Sequence, residues 1–151
     1  MPAAVLNVRN LRFKYPSGSG WVVDVAGLSL NQGEQVLLTG GSGTGKSTLL
    51  YLIAGLLDPT SREQTRIELA GKDMVHLRGA RRDLHRGRSV GMIFQTFNLL
   101  HGFSAHENVM AAMMFGAIPK AEHADRASAL LKRLGIERAS ARPEQLSVGQ
   151  Q

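Results

Sequence analysis

Apolar and polar positions along this chain alternate first with the period of strands and later with the period of helices. Leu11, Phe13 and Tyr15 alternate with Arg12 and Lys14, and Val23, Val25 and Leu28 follow a Pro16-to-Gly20 turn. That pattern predicts antiparallel strands over the first thirty residues. Asn31-Gln32-Gly33-Glu34 is a turn leading into an apolar run, Gln35–Thr39, which predicts a buried strand. A helix is expected from there to about Leu56, stopped by Asp58-Pro59, then a strand over Arg66–Ala70 closed by Gly71-Lys72. The basic stretch near Arg78–Gly87 reads as helical, and Ser89–Phe94 as a second buried strand ending at Gln95. Ser104-Ala105-His106-Glu107 has the spacing of a capping box before Val109–Met114. The last helix starts after Pro119, carries Ala127, Leu130, Leu131 and Leu134 on one face, and stops at Gly135.

The chain has 151 residues, 43% apolar and 20% charged, which is the composition of a soluble globular domain. It has no cysteine, so a disulfide frame and a thiolate metal site are excluded. No run reaches 18 apolar residues and no signal segment opens the chain, so the expected compartment is the cytoplasm. The net charge of +6 is concentrated around Arg78, Arg81, Arg82, Arg86 and Arg88. A solvated helix face explains such a window, with nucleic acid or an anionic membrane surface as the alternatives.

The chemistry is carried by Gly40-Gly41-Ser42-Gly43-Thr44-Gly45-Lys46-Ser47-Thr48, which satisfies G-x-x-x-x-G-K-[ST] directly after an apolar run. Glycines allow successive N–H groups to turn around a β-phosphate, and Lys46 adds a cation for the β- and γ-phosphates. The Ser47 hydroxyl is placed to ligate Mg²⁺, and Thr48 opens a helix whose N-terminus faces the anion. The expected ligand is a nucleoside triphosphate.

With that loop in place, three further features make the chain resemble the ATP-binding subunit of an ABC transporter. Tyr15, at the end of the lead-in strand, stands where the family stacks an aromatic on adenine; an ordinary strand tyrosine is the alternative. Val90-Gly91-Met92-Ile93-Phe94-Gln95 is similar to the family's glutamine loop. By resemblance, Gln95 contacts Mg²⁺ and the attacking water, and its loop senses the membrane partner. The ending Leu146-Ser147-Val148-Gly149-Gln150-Gln151 is similar to the signature Leu-Ser-Gly-Gly-Gln, with Val148 in place of its first glycine.

The resemblance implies an α/β fold: a P-loop NTPase core with an antiparallel β lead-in and a helical subdomain, the C-terminal part of the domain missing. Its parts would be the lead-in at 1–34, the P-loop core at 35–103, the helical subdomain at 104–145 and the signature at 146–151. It also implies ATP and Mg²⁺ as cofactors, with Lys46 and Gln95 in hydrolysis. On this resemblance ATP would be bound by Tyr15 and Gly40 to Thr48 of one subunit, and by Ser147, Gly149 and Gln150 of the other subunit of a homodimer.

The resemblance further implies a separate transmembrane permease subunit and a place on the cytoplasmic face of the membrane, and no direct nucleic-acid contact is expected. Gln95 through Leu100 and Ser104 through Val109 resemble the group serving lipoprotein release and macrolide-type export, although Glu107 reads first as the capping-box acid.

The family's acidic strand and switch histidine do not follow Gln151, and His76, His85, His101, His106 and His123 read as surface or loop histidines. A nucleotide-binding but inactive truncated domain, or a non-transport P-loop ATPase, is the alternative. A GTPase reading finds no Asn-Lys-x-Asp tetrapeptide.

Overall fold

Strand β1 (Ala4–Phe13) runs between β2 (Val23–Asn31) and β3 (Arg66–Leu69), and β4 (Lys72–Asp73) extends the sheet in the order β2-β1-β3-β4. The structure is a computed structural model and describes residues 4–150. It divides into two units, Met1–Ser89 and Val90–Gln151.

In the first unit every strand pairing is antiparallel, and Val8 faces Leu28 on one side and Ile67 on the other. Alternation along β1 buries Leu6 and Val8, then changes phase so that Leu11 and Phe13 are buried. The phase changes at Asn10, which takes φ 50°. Asparagine tolerates that conformation, and the Thr65 hydroxyl donates to the Asn10 carbonyl at 2.9 Å. Leu52 of helix α1 (Lys46–Ile53), with Met74 and Val75 after β4, closes the core on the sheet. The Asn31–Glu34 turn forms as its residues predict, with Gly33 at φ 84° and the Glu34 carboxylate accepting from the Asn31 N–H at 2.7 Å.

Two expected strands do not form. Residues 35–39 make no ladder, and Leu37 is 84% exposed. Residues 90–94 are likewise irregular, with Ile93 fully exposed, and Ser89 is the last residue of helix α2 (Gly79–Ser89). A strand buried on both faces needs neighbouring strands for its backbone groups, and among the described residues no strand pairs with either segment. Helix α1 also ends earlier than Leu56, because Gly55 adopts φ 68°.

The second unit packs helix α3 (Ala105–Met113) on helix α4 (His123–Arg133). Leu131, Ala105, Ala141 and Leu146 form its buried cluster. The capping box is complete: the Glu107 N–H donates to the Ser104 hydroxyl at 3.2 Å, and the Glu107 carboxylate accepts from the Ser104 N–H at 2.7 Å.

That backbone bond, followed by the bond from the Ser104 hydroxyl, holds the Glu107 carboxyl below its usual range. A depressed carboxyl contributes stability at neutral pH and loses it as pH falls through its folded pKa. Ser104→Ala is therefore expected to cost about 1 kcal/mol at neutral pH. The cost should shrink in acid, where Glu107 is protonated in both proteins. Urea midpoints of the second unit at neutral and acid pH measure this; an equal cost at both would show that Glu107 takes no part.

Candidate functional site

The loop 40–45 connects the apolar run 36–38 to α1, and its glycines take conformations closed to most side chains: φ is 143° at Gly40, 77° at Gly43 and 86° at Gly45. Gly45 is the N-cap of α1 and lies against the start of β2. A Cβ at Gly45 would fall 2.3 Å from the Val22 carbonyl oxygen. The loop is thus seated on the lead-in sheet at a point where only hydrogen fits.

Lys46 turns its side chain back into the loop. Its Nζ donates to the carbonyls of Gly40 at 2.8 Å and Gly41 at 2.6 Å, and lies 3.3 Å from the Thr44 hydroxyl. The Thr44 hydroxyl in turn donates to the Gly41 carbonyl at 3.0 Å. An ammonium held by neutral acceptors beside a helix N-terminus makes a positive, hydrogen-bond-rich concavity suited to an anion. A cleft of about 340 Å³ adjoins it, lined by Val22, Val25, Leu38, Thr44, Lys46 and Leu49.

Ser42 and Ser47 are exposed at the loop and in the first turn of α1, while Thr48 is buried. The Thr48 hydroxyl meets the Tyr15 hydroxyl at 3.3 Å. Tyr15 lies just beyond β1, and its half-exposed ring stands edge-on to Phe13 with centroids 4.9 Å apart. The structure therefore joins Tyr15, Thr48 and the loop within one unit. The link through Thr48 was not readable in sequence, since 33 positions separate the two hydroxyls.

Trp21 was also missed. Its ring lies 5.8 Å from the Arg12 guanidinium and 5.5 Å from the Lys14 ammonium, a second exposed aromatic on the strand connection that carries Tyr15.

The other candidates belong to the second unit. Gln95 is exposed in a bend, and the segment after it is gathered by Asn108. The Asn108 amide donates to the carbonyls of Leu100, Phe103 and Ser104 at 3.2, 3.3 and 3.0 Å, and its oxygen accepts from the Leu100 N–H at 2.7 Å. An asparagine one turn inside a capped helix is the signal that points to such a clamp.

Ser147 precedes a single 3-10 turn, Val148–Gln150, in which the Gln150 side-chain oxygen accepts from the Ser147 N–H at 3.2 Å. Gly149 sits exposed within that turn, and Gln151 lies outside the described residues.

His101 Nδ1 is 2.8 Å from a Glu144 carboxylate oxygen, and this hydrogen bond is the main cause that lowers the Glu144 pKa. Two histidines expected at the surface are buried instead: His85 in α2, with Nε2 2.7 Å from the Leu69 carbonyl, and His123, with Nε2 2.9 Å from the Ile118 carbonyl. In each ring Nε2 has a backbone carbonyl as its partner, which offsets the cost of burying that polar atom.

Among the described residues no group of three or more His, Cys, Asp or Glu is arranged to hold a metal ion. A hard cation here would rest on oxygen atoms supplied mainly by a bound phosphate, with the Ser47 hydroxyl as a protein oxygen. That donor set suits Mg²⁺, which keeps few protein ligands at nucleotide sites.

A family profile described as ABC transporter matches residues 23–151. The chain is 41% identical over 152 residues to the lipoprotein-releasing system ATP-binding protein LolD of Pseudomonas syringae pv. tomato, covering 97% of this chain and 65% of that protein. It is 40% identical over 154 residues to the macrolide export ATP-binding/permease protein MacB of Rhodopseudomonas palustris, covering 100% of this chain and 23% of that protein. The chain thus spans about two thirds of the first relative and under a quarter of the second.

A solved dimeric structure of the ATP-binding cassette MJ0796, in a post-hydrolysis state bound to ADP and Pi, superposes with a TM-score of 0.81 at 31% identity. It covers 96% of this chain and 64% of that one.

Proposed function

The chain belongs to the ABC transporter family, and from that premise we propose that it is the ATP-binding part of a transport motor, driving export or extraction through a membrane subunit. The observation that carries the reading is the Lys46 ammonium held inside a glycine loop at the N-terminus of α1.

In this reading the N–H groups of Gly40 to Gly45, with the side chains of Ser42, Thr44, Lys46 and Thr48, receive the phosphates. Tyr15 packs on adenine. A bound Mg²⁺ would neutralise part of the phosphates' charge, and within the first unit the Ser47 hydroxyl would hold it. Lys46 positions the γ-phosphate, and Gln95 is a candidate for the attacking water through its resemblance to the family's glutamine loop; phosphoryl transfer depends chiefly on positioning and charge stabilisation.

Ser147, Gly149 and Gln150 approach the γ-phosphate of a second copy's nucleotide, so the working unit is a homodimer on the cytoplasmic face of the membrane. The regions 1–34, 35–103, 104–145 and 146–151 then serve as lead-in, phosphate core, helical subdomain and signature. Among the described residues no helix is long and apolar enough to cross a membrane, and a separate permease subunit supplies the path.

Titration of ATP and of pyrophosphate against the Tyr15→Ala variant tests the reading. Stacking on a base is worth about 1–3 kcal/mol. ATP affinity is expected to fall about 5- to 150-fold while pyrophosphate affinity stays unchanged. Equal losses for both ligands would remove Tyr15 from the base site.

A further inference from the structure

The four arginines of α2 fall into two groups by their partners. Arg82 donates to Asp58, which also pairs with Arg62, and Arg86 donates to Asp83 at 2.7 Å. Burial pushes the Asp58 carboxyl up, but the hydrogen bond from Arg82 and the charges of Arg82, Arg62 and Arg78 outweigh it and leave it below its usual range. Arg81 and Arg88 are exposed and, among the described residues, make no ion pair.

With Leu84, which is half exposed, they occupy positions i, i+3 and i+7 of one helical face, spread over about 10 Å of helix axis. The helix is anchored at two points beside this row. His85 is buried with its ring on the Leu69 carbonyl, and the Arg82 stem packs where a Cβ on Gly55 would sit, 3.1 Å away. Arg81, Leu84 and Arg88 thus stand exposed on a helix anchored through His85 and Arg82, with no acid among the three. Nothing in the ATP-binding reading uses them.

We propose that this ridge of α2 docks directly on an anionic phospholipid surface. The charge pattern separates this occupant from two others. The cytoplasmic loops of membrane proteins carry an excess of Lys and Arg and would repel the ridge, whereas the cytoplasmic leaflet is negative and attracts it. A single-stranded nucleic acid would draw on aromatic side chains between the arginines for stacking, but the side chain between Arg81 and Arg88 is the aliphatic Leu84, suited to the headgroup boundary, and duplex DNA is left to the competition below.

Co-sedimentation of the full chain with phosphatidylcholine vesicles, with and without phosphatidylglycerol, tests the proposal. Binding is expected only with the anionic lipid and should weaken with salt. Arg81→Gln with Arg88→Gln should lower partitioning roughly 10- to 30-fold, and Arg81→Lys with Arg88→Lys should retain most of it.

Arg126→Gln with Lys132→Gln, the same charge change on α4, should lower partitioning far less. Equal losses from the two neutralising pairs would reduce the effect to net charge and overturn the proposal, as would equal binding to pure phosphatidylcholine. Displacement from vesicles by duplex DNA at matched phosphate concentration would assign the ridge to nucleic acid instead. Far-UV circular dichroism of each variant separates loss of binding from loss of fold, and the lysine pair keeps the test decisive if the glutamine pair unfolds.

Discussion

Gly45→Ala is expected to destabilise the first unit by about 2–5 kcal/mol, roughly twice the effect of Gly43→Ala two residues earlier. Both glycines have positive φ, 86° and 77°, so an added methyl costs each of them roughly 1–2 kcal/mol of backbone strain. Their surroundings differ. Nothing lies within 4 Å of a Cβ built on Gly43, whereas one on Gly45 would stand 2.3 Å from the Val22 carbonyl oxygen and 3.3 Å from the Val22 carbonyl carbon and Cγ1.

The carbonyl cannot swing aside cheaply, because the Val22 N–H donates to the Phe13 carbonyl at 2.9 Å where β1 and β2 begin to pair. Relief must come from moving α1 off the sheet, which opens the core around Leu52, or from unpairing the strand ends. Either route adds a packing cost of about 1–3 kcal/mol to the strain. Trp21, the chain's single tryptophan, sits on the same connection and reports the transition by fluorescence in urea. Matching midpoints for the two variants would show that the Val22 contact carries no weight.

What could be read from the sequence follows the range of the interactions. The Asn31–Glu34 turn and the Ser104–Glu107 capping box are set by side chains three positions from the backbone groups they satisfy, and both form as read. The β1–β2 pairing was legible from alternation, although the phase change at Asn10 was not. The apolar runs 36–38 and 90–94 show the limit of pattern reading. Alternation and apolarity state what a segment is suited to bury, not whether a partner lies beside it, and these segments stand exposed among the described residues.

The end of α1 was misplaced because Gly55, rather than Asp58-Pro59, turns the chain. The burial of His85 and His123 was invisible for a different reason. Their partners are backbone carbonyls, and a carbonyl leaves no mark on residue type. In the candidate site the loop was legible as a motif because its glycines and lysine are contiguous. The Thr48–Tyr15 contact and the Val22–Gly45 contact arise only when strand, loop and helix are assembled.

Lys46→Ala should lower the affinity for ATP and for pyrophosphate alike, by about 10- to 150-fold, the worth of a charge-assisted hydrogen bond of about 1.5–3 kcal/mol. The ammonium lies inside the loop, held by the Gly40 and Gly41 carbonyls at 2.8 and 2.6 Å. An incoming phosphate therefore meets a cation in place and exchanges with neutral acceptors, so little ordering cost falls on binding. The same acceptors are exposed loop carbonyls that water satisfies once the side chain is gone, so the urea midpoint should barely move.

Lys46→Arg should not restore binding, because a planar guanidinium cannot take the place of a compact ammonium between two carbonyls that the glycine backbone fixes. The affinity of the unaltered chain should fall with added salt, and Lys46→Ala should reduce that dependence as one phosphate-facing charge is removed. Isothermal titration with pyrophosphate separates this loss from the base-dependent loss at Tyr15, since pyrophosphate has no ring to stack. An unchanged pyrophosphate affinity in Lys46→Ala would mean that the loop around Gly40 to Gly45 does not receive the phosphates, and the ATP-binding reading of this chain would fall with it.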